Sequence, residues 1–286
     1  MSRKYRVLYL DTAPTAGGSV VSLYELLRNL DRSNFVPTVL AYTQHRYVER
    51  FRDLGLEVMV WNAYGTADHR PHWAKGMRQA APVDWLRGRA LGARLYHGLG
   101  FATLLMRRTW PRARAMQSII RRGRIDLVHT NVRVGHDREG IVASGMAGVP
   151  CVSHIRDFEE LNWFDRRLAG MVGRFIYISE AVQRCHLGAG VPRGKGCVVY
   201  NAVDASAFDR ALDVPAVRQV LGLAVDDVVV GMMGRLDRWK GQDVFLRAMA
   251  SVMEAVPQAR GVVIGDPVPY DQDYHDMLLA LRDELG

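Results

Sequence analysis

The sequence predicts an α/β protein whose parallel sheets are covered by helices on both faces. Its 286 residues are 49% hydrophobic and 24% charged, a globular composition that excludes a disordered or collagen-like chain. Short runs of valine, isoleucine and leucine alternate with helical patterns along the chain, and this alternation is typical of parallel sheets. Because a domain holds roughly 100–200 residues, the length indicates about two domains. The alternation predicts that each of them is doubly wound.

The first domain is predicted from a series of strand–helix pairs. The expected strands are 6–10, 38–41, 57–61, 126–130, 150–154 and 174–178. The expected helices are 20–30, 48–54, 140–147, 161–170 and 179–187. Ser179 is predicted to cap the last helix, because a serine hydroxyl there can accept a backbone N–H. A glycine-rich stretch then becomes extended over 192–202.

A second series begins after a linker at 204–214. It consists of a short helix 215–221, a strand 228–233, a helix 242–256, a strand 261–264 and a helix near 274–285. We place the domains at 1–205 and 206–286. Two strands amount to half of a doubly wound sheet, so we expect the second domain to be incomplete. A fragment, a truncated gene or a split gene would each explain this.

Positive charge is concentrated in residues 70–124. The whole chain carries a net charge of +8, whereas this segment has thirteen Lys and Arg against the single acid Asp84. Tryptophans and leucines recur within it at loosely helical spacing, which favours amphipathic helices. One interpretation is docking on an anionic membrane surface, and the other is a solvated basic face on core-facing helices. No recognisable nucleic-acid-binding module accompanies the segment, so nucleic acid is not an expected partner.

Cysteine usage and hydropathy predict a cytoplasmic protein. If the basic segment docks on a membrane, the protein is expected at the periphery of the membrane's inner face. Cys151, Cys185 and Cys197 are too few and too scattered for a disulfide framework or a zinc site. The longest apolar stretch, 95–106, is shorter than the roughly 20 residues that a membrane span needs. The first residues lack the apolar core of a signal peptide.

Two candidate sites follow predicted strands of the first domain. Gly17 and Gly18 open a helix after the first strand, where a phosphate or sugar could approach the backbone closely. A tight turn is the alternative, and the stretch lacks the G-x-G-x-x-G pattern of nicotinamide enzymes. His154 ends a strand at the same sheet edge, and Asp157 lies in the polar loop beyond it. A structural histidine and an ordinary loop acid are the alternatives there.

The sharpest local feature lies in the second domain. Arg235 and Lys240 stand in the turn between the strand 228–233 and the helix that follows. An arginine fork, a lysine charge and a helix N-terminus suit a diphosphate leaving group that gains negative charge. A solvated basic loop is the alternative.

Taken together, seven motifs along the chain resemble a retaining GT-B glycosyltransferase of family 4. In order they are Gly17-Gly18, Asp126-Leu-Val-His-Thr-Asn131, Gly148-Val-Pro-Cys-Val-Ser-His154, Tyr177-Ile-Ser-Glu-Ala-Val182, Val199-Tyr-Asn-Ala-Val-Asp204, Gly231-Met-Met-Gly-Arg-Leu236 with Lys240-Gly241, and Val263-Ile-Gly-Asp266. The resemblance implies two Rossmann-like domains, an acceptor-side domain first and a nucleotide-sugar-binding domain second. It also implies a nucleotide-diphosphate-sugar donor, retention at the anomeric carbon, and neither a cofactor nor a metal. Because the basic segment lies in the acceptor-side domain, we expect a carbohydrate acceptor, lipid-linked or a polysaccharide, at the membrane.

The resemblance also assigns expected roles to the candidate residues. His154 is the expected catalytic residue, because it falls where the family has a histidine that contacts the transferred sugar. Arg235 and Lys240 match the residues that hold the donor's phosphates, and the Gly17–Gly18 loop lies near the donor diphosphate and the acceptor. Asp157 and Asn201 are further candidate contacts to the sugar or the acceptor.

One departure from the family keeps other functions open. The Glu-x7-Glu segment of the family's C-terminal domain and its final helix are absent, which would weaken donor binding. A truncated, non-catalytic GT-B binding protein is therefore an alternative to the transferase. A nucleotide-sugar 2-epimerase, which shares the architecture, is a weaker alternative because the arginine–lysine pattern at 234–241 favours the transferase.

Overall fold

A computed structural model describes residues 3–13, 15–62, 105–208, 211–268 and 271–286. The chain divides into two units, Met1–Val203 and Asp204–Gly286. Each unit is built around a parallel sheet of its own.

The sheet of the first unit has seven parallel strands among the described residues. In chain order they are β1 Tyr5–Asp11, β2 Phe35–Ala41, β3 Glu57–Val60, β4 Leu127–Thr130, β5 Cys151–Ile155, β6 Arg174–Tyr177 and β7 Gly196–Val198. Their spatial order is β3-β2-β1-β4-β5-β6-β7. The order reverses between β1 and β4, and ligands of such sheets bind outside the carboxyl ends of the strands at this switch point.

Helices connect these strands and pack on the sheet. They are α1 Gly18–Arg28, α2 Arg46–Asp53, α3 Trp110–Arg122, α4 Arg138–Ala147, α5 Trp163–Met171 and α6 Glu180–Gly188, with a π-helical turn Leu105–Thr109 before α3. As predicted, the Ser179 hydroxyl caps α6 by accepting the N–H of Val182 at 3.2 Å. Asn162 caps α5 in the same way.

Alternate residues of β1 supply two separate cores, because successive side chains of a strand point to opposite faces. Val7 and Tyr9 pack with the buried residues of α1 and α2. Leu8 and Leu10 pack on the other face with α3 and α4. A Cβ added to Gly140 of α4 would lie 2.2 Å from Leu10 Cδ1, so glycine there allows the helix to approach the sheet closely.

The second unit is smaller. Its elements are the 3₁₀ turn Ala205–Ala207, α7 Val214–Val220, β8 Val228–Met233, the 3₁₀ turn Arg238–Lys240, α8 Gln242–Ala255, β9 Ala259–Ile264 and α9 Gln272–Leu285. Strands β8 and β9 pair in parallel. A core of Leu236, Tyr274 and Leu278 lies beside them. Val228 and Met233 of β8 are 56% and 80% exposed, so this sheet is less covered than that of the first unit.

The predicted fold class and the order of elements are confirmed over the described residues. The predicted strand and helix bounds agree with the observed ones to within a few residues. Within the basic segment 70–124, α3 is helical, and the part expected to be helical before residue 105 lies outside the described residues. Of the helices that are described, none is both long and apolar enough to cross a membrane.

Candidate functional site

Polar side chains gather where β1, β4 and β5 end. Asp11 closes β1, Asn131 follows β4, and His154 lies near the end of β5. Parallel strands present their carboxyl ends at one edge of the sheet, so these residues come together although they lie far apart in the sequence. All three are buried.

Arg156 joins the members of this edge through its guanidinium. Its Nε donates to Asn131 Oδ1 at 2.9 Å, and its Nη1 donates to Ser22 Oγ at 2.7 Å and to Asn201 Oδ1 at 3.0 Å. Its Nη2 lies 3.2 Å from His154 Nδ1. The arginine therefore ties α1, the end of β4, the end of β5 and the segment after β7 into one cluster.

His154 contacts this guanidinium, and its imidazole is neutral. Arginine can only donate, so Nδ1 of His154 accepts from Arg156 and the ring proton is on Nε2. The side chain is 7% exposed, and burial, reinforced by the charge of Arg156 and by His129, lowers the pKa of His154 to about 2. Nε2 is buried and has no hydrogen-bond partner among the described residues.

The second histidine of the cluster is also neutral. His129 on β4 packs its ring 5.7 Å from that of His154, centroid to centroid. Burial, followed by the charge of Arg156, lowers the pKa of His129 to about 3. Neither imidazole therefore carries charge at neutral pH.

Arg156 keeps its charge without an ion pair to any described carboxylate. Burial lowers its pKa to about 10, and the Asp137 carboxylate opposes this shift. Asp137 is itself buried, and it accepts from Thr12 Oγ1 at 2.5 Å and from the N–H of Val132 at 2.9 Å. The cluster thus presents a positive charge at the carboxyl edge of the sheet.

A separate group of ionic contacts supports the loops around the cluster. Arg138 binds the buried Asp165 with two hydrogen bonds, Nε–Oδ1 at 2.6 Å and Nη2–Oδ2 at 2.7 Å. Glu159 accepts from the N–H groups of Val134 and Gly135 at 2.8 and 3.0 Å. These carboxylates stabilise the turn between β4 and α4.

Asp157, one of the predicted site residues, does not join the cluster. Its side chain is exposed and lies 3.9 Å from Arg133. It also accepts from the N–H of Phe158 at 2.8 Å, a local turn contact. Its predicted contact with sugar or acceptor stays a prediction.

Gly17 and Gly18 lie at the start of the helix that carries part of the cluster. Gly17 is the N-cap of α1, which has no side-chain cap and no acidic residue in its first turn. The carbonyl of Ser19 accepts from Asn131 Nδ2 at 3.0 Å, so the first turn of α1 is held against the end of β4.

In the second unit, Arg235 and Lys240 lie between β8 and α8, as the sequence predicts. The Arg235 carbonyl accepts from Gln242 Nε2 at 2.8 Å, and its guanidinium lies 3.9 Å from Asp237. Lys240 is exposed, with Nζ 3.8 Å from the centre of the Trp239 ring. Gly241 follows with φ 76°, a conformation that favours glycine, and serves as the N-cap of α8 without a side-chain cap.

The close approach of the ends of β8 and β9 shapes this loop. A Cβ added to Gly265 would lie 1.8 Å from the Gly234 carbonyl oxygen, so the site of contact requires a glycine. Among the described residues, no group of three His, Cys, Asp or Glu side chains could hold a metal ion.

Sequence reasoning predicted His154 and Asn201 but missed the residues that connect them. Arg156 was not among the predicted site residues, although it directly follows β5 and its spacing of two residues from His154 favours the same side of the extended chain. Asn131 ends the motif that begins at Asp126 and directly follows the strand within that motif, which is a usable signal. Ser22 lies inside a helix, and nothing in its local sequence indicates a site.

Two family models match the chain. Residues 16–207 match the model described as Glycosyltransferase Family 4, and residues 213–286 match the model described as Glycosyl transferases group 1.

Two of the curated relatives carry the same activity name. D-inositol 3-phosphate glycosyltransferase of Mycobacterium leprae (strain Br4923) is 32% identical over 162 residues, which cover 57% of this chain and 35% of that protein. The protein of the same name from Nocardia farcinica (strain IFM 10152) is 30% identical over 167 residues, 58% of this chain and 35% of that protein. The match thus spans about a third of each relative's length.

Solved structures share the fold. Anabaena Alr3699/HepE in complex with UDP and glucose has a TM-score of 0.68 and 22% identity, covering 98% of this chain and 66% of that one. UDP-GlcNAc 2-epimerase from Neisseria meningitidis bound to UDP-GlcNAc has a TM-score of 0.63 and 10% identity, covering 98% of this chain and 70% of that one. At these identities the likeness establishes the fold and leaves the activity to other evidence.

Proposed function

The chain belongs to glycosyltransferase family 4, and on that premise we propose that it transfers a sugar from a nucleotide-diphosphate-sugar donor to an acceptor hydroxyl. The observation that carries the proposal is the placement of Arg235 and Lys240 between β8 and the N-terminus of α8. This loop belongs to the part of the chain that matches the group 1 transferase model. The first unit then serves as the acceptor side and the second as the nucleotide-sugar side.

The chemistry of the donor explains why two cations stand on this loop. When the sugar departs, negative charge builds up on the diphosphate that it leaves. Arg235 offers a planar fork to phosphate oxygens, Lys240 offers a point charge, and the uncapped N-terminus of α8 offers backbone N–H groups. Hydrogen-bond donors and cations placed where negative charge develops stabilise the transition state more than the ground state.

We further propose that the reaction proceeds with retention at the anomeric carbon. The bond between that carbon and the donor's phosphate oxygen breaks as the acceptor oxygen attacks from the same face. The acceptor's proton passes to a phosphate oxygen of the leaving diphosphate, so no nucleophile from the protein is required. Such a reaction needs no metal, and undiminished turnover in EDTA is the expected result.

The acceptor is proposed to be a hydroxylated compound bound at the carboxyl edge of the first unit's sheet. The relatives' name makes D-inositol 3-phosphate the first compound to test. The second candidate is a carbohydrate attached to a lipid, which the surface around α3 favours.

That surface combines arginines with an apolar groove. Arg107, Arg108 and Arg114 are exposed, and Trp110 is 44% exposed with the Arg114 guanidinium 5.4 Å from its ring centre. A groove of about 500 Å³ adjoins this helix. Its apolar lining consists of Leu105, Trp110, Val142, Met146, Phe164, Leu168 and Met171. We propose that the segment 70–124 contacts an anionic membrane surface, where each basic residue contributes about 1 kcal/mol.

Vesicle sedimentation tests the membrane contact. The full chain should bind vesicles that contain anionic lipid and release them at high salt. Replacing Arg107, Arg108 and Arg114 by glutamine should weaken binding. The matched control is the same change at Arg46, Arg50 and Arg52, which are exposed on α2. Equal binding to neutral vesicles would contradict the proposal.

Release of nucleotide diphosphate tests the transfer itself. UDP-glucose and other nucleotide sugars are supplied with D-inositol 3-phosphate, and the glycosylated product is identified by mass spectrometry and its anomeric configuration by NMR. The double variant Arg235→Ala/Lys240→Ala should abolish product formation. Donor binding without product would indicate a non-catalytic binding protein, and conversion of UDP-N-acetylglucosamine without acceptor would indicate a 2-epimerase.

A further inference from the structure

A charged guanidinium at the carboxyl edge of the first unit's sheet has no carboxylate partner among the described residues. We infer that Arg156 is an anion-binding residue and that it contacts an oxyanion group, phosphate or carboxylate, carried by the acceptor. That the anion belongs to the acceptor rests on the proposed function. That Arg156 binds an anion rests on the geometry of this chain.

The guanidinium is held in a fixed orientation by neutral groups. Four of its five N–H groups have acceptors, which are Asn131 Oδ1, Ser22 Oγ, Asn201 Oδ1 and His154 Nδ1. Asn131 is 1% exposed and is itself anchored to the Ser19 carbonyl, so the support is rigid. The second N–H of Nη2 has no acceptor among the described residues. Its direction is fixed, because the four hydrogen bonds fix the plane of the guanidinium.

The charge of this group is not neutralised where it lies. Other arginines of the first unit have carboxylate partners, such as Arg138 with Asp165 and Arg112 with Glu139. The carboxylate that acts on Arg156 is Asp137, whose oxygens already accept from Thr12 and from the Val132 N–H. An oxyanion that accepts from Nη2 would form a charge-assisted hydrogen bond in a partly desolvated place, where such bonds are strong.

The neighbouring helix favours the same sign of ligand charge. Ser22, one of the four partners, lies on α1, which begins at Gly18 without an acidic residue in its first turn. The N-terminus of a helix carries a partial positive charge that falls off within a turn or so. Its contribution adds to that of Arg156 and does not replace it.

His154 acts through Arg156 in this arrangement and is a positioning residue. Its Nε2 is buried, whereas Arg156 is half-buried and reaches further toward solvent. The imidazole therefore holds the guanidinium in position, because its Nδ1 accepts the hydrogen bond from Nη2 of Arg156.

The experiment separates an acceptor anion from the donor diphosphate. Inorganic phosphate is titrated into the full-length Arg235→Ala/Lys240→Ala variant by calorimetry, with UDP titrated into the otherwise unchanged protein. In the phosphate titration, Arg156→Met should weaken affinity about tenfold or more, the loss expected for one charge-assisted hydrogen bond. Arg133→Met, in the loop after β4 and paired with the exposed Asp157, should change it by less than about threefold. UDP affinity should be unchanged in Arg156→Met.

Further variants separate a missing contact from a misfolded protein. Arg156→Lys keeps the charge without the fork and should give an intermediate phosphate affinity. His154→Asn, whose side-chain oxygen can accept from Arg156, should retain phosphate affinity, whereas His154→Leu should lose it at a similar melting temperature.

Three outcomes would overturn the inference. They are phosphate affinity that is unchanged in Arg156→Met, undetectable phosphate binding to the parent protein, and a loss of UDP affinity in Arg156→Met as large as that in the Arg235→Ala/Lys240→Ala variant. The last result would assign Arg156 to the donor. Absence of UDP binding or of sugar transfer in the parent protein would instead count against the proposed function and leave the phosphate result to be judged by itself.

Discussion

Nη2 of Arg156 lies 3.2 Å from Nδ1 of His154, so a charged donor determines which nitrogen of a buried imidazole carries the proton. The pKa of His154 is lowered to about 2, first by burial and then by the charge of Arg156. A histidine in this state cannot take up a proton from an acceptor hydroxyl at neutral pH. It acts as a neutral hydrogen-bonding group, which agrees with a reaction in which the donor's own phosphate takes the proton.

The buried neutral histidine should make stability depend on pH. Its pKa is about 2 in the folded chain and about 6.5 when unfolded, so the unfolded chain binds more protons below pH 6.5. We expect the free energy of unfolding to fall as pH drops below 6.5, with His154 contributing up to about 1.4 kcal/mol per pH unit. Urea titrations at pH 7, 6 and 5 should show a smaller slope for His154→Asn. His275→Asn, at a partly exposed position of α9, is the control, and equal slopes for His154→Asn and the parent would contradict the prediction.

Arg235→Ala should weaken the binding of a nucleoside diphosphate. Loss of a charge-assisted hydrogen bond costs about 1.5–3 kcal/mol, roughly a tenfold to hundredfold loss of affinity for UDP. Arg238→Ala is the matched control, because Arg238 lies three residues away and is engaged by Asp271 at 3.0 Å. Calorimetric titration measures both. Equal affinities in the parent and Arg235→Ala would remove Arg235 from the donor site.

Gly265→Ala should damage the same loop without touching its charges. The added Cβ would lie 1.8 Å from the Gly234 carbonyl oxygen, so the backbone next to Arg235 must move. Overpacking of this kind costs about 1–3 kcal/mol of unfolding free energy, and UDP affinity should fall as well. In Gly170→Ala, on α5, the added Cβ meets nothing within 4 Å, so stability should stay the same or rise by up to about 1 kcal/mol. Thermal melting and UDP titration measure the stability and the UDP affinity of both variants. Equal values for Gly265→Ala and Gly170→Ala would disprove the prediction.

Asp165→Ala should destabilise the first unit strongly. Asp165 is buried and accepts two hydrogen bonds from Arg138, so its removal takes both bonds and the nearest negative charge from a largely buried guanidinium, with Glu139 and Glu159 still acting on it. Breaking a buried pair from one side costs about 3–5 kcal/mol. Glu180→Ala, which breaks the exposed pair with Arg184, should cost about 0.5 kcal/mol or less. Chemical unfolding measures the free energy of unfolding of both variants. A similar decrease in Asp165→Ala and Glu180→Ala would show that the Arg138–Asp165 pair is not a stabilising contact.

Local patterns explain why so much of the fold was predictable. The strand β8 was placed correctly at both ends, and the hydroxyl of Ser179 caps its helix as expected. Hydrophobic period and helix caps depend on residues a few positions apart, so a sequence displays them directly. The loop with Arg235 and Lys240 was predicted for the same reason, since it lies between a recognisable strand and a recognisable helix.

The sequence by itself determined the order of strands and helices, the division into two series of elements and the residues that resemble a glycosyltransferase. Only the tertiary structure decided that Ser22, Asn131, His154 and Asn201 meet around Arg156. Ser22 and Asn201 are 179 positions apart and share a hydrogen bond of 2.9 Å. Such contacts arise because parallel strands bring all their carboxyl ends to one edge, and the strand order that decides which ends are neighbours is not a local property of the chain.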